Sequence, residues 1–230
     1  MRTIGLLAGM SWESSAIYYR RLNEMVRERL GGLHSAELLM RSVDFAPVAA
    51  LQAEGDWDRL TGLMVAAARR LEAGGAQGIM ICSNTMHRMA DEVAASIDVP
   101  LLHIGDATAT AVKAAGSRQP LLLGTRFTME GDFYRARLRD RHGLEVLLPD
   151  SHGRALVDRV IYDELCLGRV TDASRAAYLD IVAQAKRDGA DGVIFGCTEV
   201  GLLIGGIDLG VAAFDTAELH CAAGVDFMLS

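Results

Sequence analysis

Two stretches of this sequence put small protic side chains where they could act on a single carbon. The run Gly-Ala-Asp-Gly-Val-Ile-Phe-Gly-Cys-Thr-Glu, from Gly189 to Glu199, restates Gly-Ala-Gln-Gly-Ile-Met-Ile-Cys-Ser-Asn-Thr, from Gly75 to Thr85. An ungapped overlay sets Gly78 on Gly192, Ile79–Ile81 on Val193–Phe195 and Ser83 on Cys197. Each copy is an apolar run with a glycine before it and small polar residues after it, the pattern of a buried parallel strand that ends in a loop opening a helix. Ligands of open α/β sheets sit at the carboxyl ends of such strands. Two related halves would therefore present Ser83 and Cys197 from equivalent positions, one on each side of a shared cleft.

Such a pair suits removal and return of an α-proton at the two faces of one carbon. The proton is a weak acid, so catalysis needs a base on one face, an acid on the other, and hydrogen-bond donors on the carboxylate where charge develops. Cys197 fits the base: a free thiol titrates near ~8.5, and a helix N-terminus lowers that further. The backbone N–H groups of Asn84, Thr85 and Thr198, at the starts of the two following helices, are the candidate carboxylate donors. Cys82 precedes the loop within its strand and points away from Ser83, into the core. Cys166 and Cys221 lie on helical patterns and read as structural.

The elements that must position these groups alternate strand and helix throughout. Strands are predicted at Thr3–Ala8, Ala36–Val43, Gly78–Cys82 and Leu101–Ile104, with a restart at Leu121–Gly124 followed by Leu144–Leu148 and Gly192–Gly196. Ser14 or Ser15 is expected to cap a helix reaching Leu30, and Asp56 to cap one whose apolar face is Leu60, Leu63, Met64, Ala67 and Leu71. Asp106 is expected to open the next. Helices are further predicted at Met129–Arg141, about 154–167 and 172–187. The resulting expectation is an α/β chain of two domains, 1–104 plus 215–230 and 105–214, each a four-stranded parallel sheet flanked by helices.

Composition narrows the function. The chain has 230 residues, half of them hydrophobic, and a net charge of −7, with its 23 basic residues scattered. Nucleic acid is therefore not an expected partner. There is no apolar run of about 18 residues to span a membrane, and the N-terminus enters a strand directly, so a cytoplasmic protein is expected. The four cysteines form no Cys-x-x-Cys pair and the six histidines show no zinc-ligand spacing, so no metal is expected. Only two lysines occur, Lys113 and Lys186, both reading as solvated helix ends. Pyridoxal chemistry needs a lysine in the cleft, so no cofactor is expected.

Several motifs, in order, carry a resemblance. Gly9-Met10-Ser11, Asn84-Thr85-Met86-His87, Gly124-Thr125 and Gly196-Cys197-Thr198-Glu199 look like the aspartate/glutamate racemase superfamily, nearest its broad-specificity amino-acid racemase branch. Gly31–Ala36, Ser42–Phe45, Asp132–Tyr134 and Glu164–Gly168 extend the likeness from end to end. The resemblance implies a pseudo-twofold, two-domain fold, a two-base mechanism without metal or pyridoxal, a small-molecule substrate that is an amino acid (Asp, Glu or a broader set), and a homodimer. It assigns the L-face proton to Cys197 and the D-face proton to Ser83.

Two departures from the family pattern sharpen the expectation. The family pairs two cysteines, and Ser83 replaces one; a hydroxyl is a poor base but can donate a proton, so a higher maximal rate from L to D than from D to L is expected. Where dicarboxylate-specific members hold the distal carboxylate with cations, this sequence has Gln52 and Cys166, so substrates beyond Asp and Glu are expected. Met10 and Ser11 fit a cleft wall. Thr125 could bind a carboxylate or cap the next helix. His87 could orient Glu199 or Asn84. Glu199 could tune Cys197 in either direction. The alternatives are a single-cysteine decarboxylase or isomerase of the same superfamily, and an amino-acid-binding protein of weak catalytic power.

Overall fold

All but one of the apolar runs become short parallel strands, and the structure, a computed structural model, describes residues Met1–Ser230. Two units are formed, Met1–Ile104 with His220–Ser230, and Gly105–Leu219.

The first unit contains β1 (Ile4–Ala8), α1 (Trp12–Leu30), β2 (Leu38–Ser42), α2 (Phe45–Glu54), α3 (Trp57–Ala73), β3 (Gly78–Ile81), a 3₁₀ segment at Thr85–Met89, α4 (Ala90–Ala94) and β4 (Leu101–Leu102). Its sheet runs β2-β1-β3-β4, all parallel, with Ile4 opposite both Leu38 and Gly78. Both β1 and β3 are wholly buried, as strands covered on two faces must be. α3 presents Leu60, Met64, Ala67, Ala68 and Leu71 to Leu7, Ile79 and Ile81. Each Leu, Ile or Met side chain among these, fully buried, contributes about 1.5–3 kcal/mol. Leu63, expected on this face, is exposed, and Ala68 takes its place.

α5 (Ile104–Ala114) leads into the second unit, which holds β5 (Leu121–Gly124), α6 (Arg126–Glu130), α7 (Asp132–Ala136), a π-helical turn at Arg137–Arg141, α8 (Ser151–Asp163), a 3₁₀ turn at Leu165–Leu167, α9 (Asp172–Arg187), β6 (Gly192–Gly196), α10 (Val200–Ile204) and β7 (Ala212–Asp215). α11 (Thr216–Leu229) carries the chain back into the first unit at His220. The sheet runs β5-β6-β7, again parallel.

This second sheet repeats the plan of the first with one strand reduced. The expected strand at Leu144–Leu148 survives as a single parallel bridge, Leu121 opposite Leu147. Leu147 donates its N–H to Pro120 and accepts from Leu122, each at 2.9 Å. Pro149 then has no N–H to continue the ladder, and Asp150 turns to cap α8 by accepting from the Gly153 N–H at 2.7 Å. The helix expected over 129–141 is likewise divided at Gly131, where the backbone is extended. The helix expected to open at Asp106 opens at Ile104.

Candidate active site

The two strand ends singled out in the sequence are alike in one physical respect. From Gly78 to His87 every residue is buried except Ser83, and from Gly192 to Val200 every residue is buried except Cys197. In each copy one residue opens out of an otherwise closed segment, a serine in the first and a cysteine in the second. A Cβ on Gly196 would lie 2.7 Å from the Leu122 side chain and 3.0 Å from the Leu123 carbonyl, so only glycine lets this strand end lie so close to β5.

In the first unit, the Cys82 N–H donates to the Leu7 carbonyl at 2.9 Å and extends the ladder past β3. Cys82 is therefore core, and burial pushes its thiol far above the ordinary range. The Ser83 carbonyl meets His87 Nδ1 at 2.8 Å, and His87 Nε2 faces the Ile104 N–H at 3.2 Å. His87 thus holds the Ser83 backbone. Asn84 and Thr85 are buried, and the Asn84 carbonyl accepts the His87 N–H at 3.1 Å.

Gln52, near the end of α2, is only 5% exposed, which rules out a solvent-facing role. Its Nε2 donates to Met86 Sδ at 3.2 Å, and its Oε1 is buried without a partner. A buried amide oxygen left so costs about 1–3 kcal/mol, which a ligand donor would recover. Met10 packs into the first unit's core. Ser11, rather than Ser14 or Ser15, caps α1 by accepting the Ser14 N–H at 3.3 Å, because the helix starts at Trp12.

In the second unit, Glu199 is the hub. Its Oε2 accepts from Cys197 Sγ at 2.9 Å and from Thr198 Oγ1 at 2.5 Å, and Cys166 Sγ lies 4.0 Å from Oε1. The carboxylate is 2% exposed. Cys197 is half-buried as a residue, yet loss of water around its sulfur, and then the Glu199 charge, push the thiol well above its ordinary value. The expectation of a lowered thiol pKa is therefore corrected: burial first, and the neighbouring carboxylate second, outweigh the short segment that follows. Cys166, read as structural, is raised to about 12 by burial and then by the same carboxylate. The Thr125 side chain caps α6, accepting the Thr128 N–H at 3.3 Å.

Sequence reasoning missed two features. Cys166 belongs to the Glu199 group, although it comes from a turn far away in sequence. His87 sits in a cluster with His103 and His220, at ring-centroid distances of 4.5 and 5.8 Å. A count of six histidines without metal spacing gave no hint of it. No group of three or more His, Cys, Asp or Glu side chains converges as metal ligands, and no helix is long and apolar enough to cross a membrane.

The Asp/Glu/hydantoin racemase family model matches residues 7–224. A Yersinia pestis protein named a putative Asp/Glu racemase is 47% identical, with full coverage of both chains and a TM-score of 0.93. An aspartate racemase homologue from Pyrococcus horikoshii OT3 is 33% identical, also over both full chains, with a TM-score of 0.87. The broad-specificity amino-acid racemase RacX of Bacillus subtilis is 24% identical over 159 residues, 69% of each chain.

Proposed function

The chain belongs to the Asp/Glu/hydantoin racemase family, and from that premise we propose that it is a cofactor-independent amino-acid racemase in which Cys197 serves the L face and Ser83 the D face. The observation that carries the reading is the pairing of strand ends, where the one open residue is a serine in one unit and a cysteine in the other.

The resting thiol donates its hydrogen bond to Glu199 Oε2. For an L-amino acid, the thiol proton passes to Glu199, and the thiolate takes the α-proton. Backbone donors at Asn84, Thr85 and Thr198 stabilise the carboxylate as it gains charge. Ser83 then delivers its hydroxyl proton to the opposite face. The proton held by Glu199 and the alkoxide left on Ser83 cancel through solvent as the D product leaves. In the reverse direction Ser83 must act as the base, which its hydroxyl does poorly, so turnover favours L to D.

Gln52 and Cys166 offer no positive charge for a second carboxylate, which supports a substrate range wider than aspartate and glutamate. The unpartnered Gln52 oxygen favours side chains that carry a hydrogen-bond donor. Met10, Ser11 and Thr125 complete the proposed set around the substrate. A homodimer in the cytoplasm is the assembly and location this reading carries with it. The strongly protonated state of Cys197 also favours a second reading, a proton-donating decarboxylase with one working cysteine.

A panel of L-amino acids, with a disubstituted malonate beside it, in deuterated water separates them. The racemase exchanges the α-proton and inverts the centre. Release of carbon dioxide from the malonate without exchange of any amino acid would replace the racemase with the decarboxylase. Binding of an amino acid without exchange would leave only a sensor.

A further inference from the structure

The cluster of buried rings in the first unit bears on Ser83 through hydrogen bonds whose directions can be read. A backbone N–H can only donate, so the Ile104 N–H, 3.2 Å from His87 Nε2, requires a lone pair there. The proton of the neutral ring is then on Nδ1, where it donates to the Ser83 carbonyl at 2.8 Å. The neighbouring ring is fixed by the same logic. A carbonyl can only accept, so His220 Nε2 carries a proton toward Leu102 O at 2.8 Å, and its Nδ1 accepts from the buried Tyr18 hydroxyl at 2.9 Å. His103 and His220 both meet the His87 ring edge-on, at interplanar angles of 64° and 65°, and so set its plane.

We propose that His87 is a positioning residue for Ser83, its Nδ1–H gripping the Ser83 carbonyl and thereby fixing the direction of both the Ser83 hydroxyl and the Asn84 N–H. The inference rests on the racemase reading of that hydroxyl. Its physical basis is the planar peptide: the Ser83 C=O and the Asn84 N–H point in opposite directions, so a donor that holds one aims the other. Both ring nitrogens of His87 are committed to backbone groups, so the ring orients the site and does not carry the reacting proton. A histidine that acted as a shuttle would need a nitrogen able to change its proton.

The test separates positioning from mere support by comparing two events in one experiment. In deuterated water, with L-aspartate, L-glutamate and a panel of neutral L-amino acids as probes, Cys197 alone exchanges the α-proton, whereas inversion also requires Ser83. His87→Ala is expected to slow inversion more than exchange, which also uses the Asn84 N–H, and so to lower the ratio of inversion to exchange about tenfold or more, the scale of a misplaced reacting group. His87→Asn, whose side-chain amide N–H stands near the place of Nδ1–H, is expected to restore the ratio. A ratio unchanged in His87→Ala, or not restored by His87→Asn, overturns the proposal. Absence of exchange in the wild-type protein instead overturns the racemase reading, and this role with it. Should the alanine variant not fold, nitrogen NMR of the wild-type protein decides: a protonated Nδ1 on His87 supports the grip, and a protonated Nε2 overturns it.

Discussion

The two strand ends share a backbone plan and differ in electrostatics. After β3, the open residue is a serine whose backbone is held by a neutral imidazole. After β6, it is a cysteine held by a buried carboxylate, which also gathers Thr198 and Cys166. A repeated fold thus sets a hydroxyl and a thiol at corresponding strand ends and gives each a different electrostatic setting. Strand geometry sets where the groups stand; the residues one to three places on, and those reached through tertiary contacts, set what each can do.

The comparison breaks most sharply if the thiol end is removed. Cys197→Ala should abolish both exchange and inversion, a loss of about 10³-fold or more, as expected for a lost acid–base group. Retained exchange, followed by NMR in deuterated water, would sink the assignment of that end. Ser83→Cys makes the ends chemically alike and should raise the D-to-L maximal rate by about tenfold or more, with the L-to-D rate less affected. Because enantiomers are equally stable in solution, kcat/KM must stay equal in the two directions, so KM shifts in compensation. Polarimetry from each enantiomer measures this, and rates unchanged in both directions would remove Ser83 from the proton path.

Glu199→Gln tests what distinguishes the second end. Removing the charge takes away one of the causes that raise the Cys197 thiol. Its titration, followed by thiolate ultraviolet absorbance, should therefore move to lower pH. An unmoved titration would show that loss of water alone holds the thiol up.

The smallest expected effect concerns acid stability and belongs to the first unit. Burial pulls His220 down to about 4. The unfolded chain, with His near ~6.5, therefore binds more protons across that window. Stability from a neutral His220 is fully present above about pH 6.5 and is lost as pH falls toward about 4, by about 3 kcal/mol in all. Denaturant melts at pH 7 and pH 4 should show the loss, and His220→Gln should flatten it. Asp106 in the second unit behaves differently. Its burial opposes ionisation, but hydrogen bonds from Arg137 and His142 outweigh that and hold its carboxyl below the usual range. Its contribution fades only in more acid solution.

Much of the fold was legible because local rules agreed with the tertiary outcome. The glycine-flanked apolar runs became central strands, Asp56 caps α3 by accepting the Arg59 N–H at 3.1 Å, and alternation along a strand correctly separated buried Cys82 from Ser83. What stayed hidden depends on partners far away in sequence. The reduced fourth strand turns on Pro149 following a two-bond ladder. The burial of Gln52 turns on Met86, and the raised Cys197 on a desolvation that no spacing reveals. The role of Ser11 as a cap was missed because two further serines follow within four residues and compete for the same assignment.

Cys82 carries a last consequence. The first unit's nearest sulfur is sealed beneath its sheet, whereas the second unit keeps two half-buried sulfurs around one carboxylate. A thiol-directed reagent therefore finds half-buried targets in one unit only, and in alkaline solution, where those raised thiols ionise, a covalent label would report on the Glu199 group while leaving the Ser83 end unmarked.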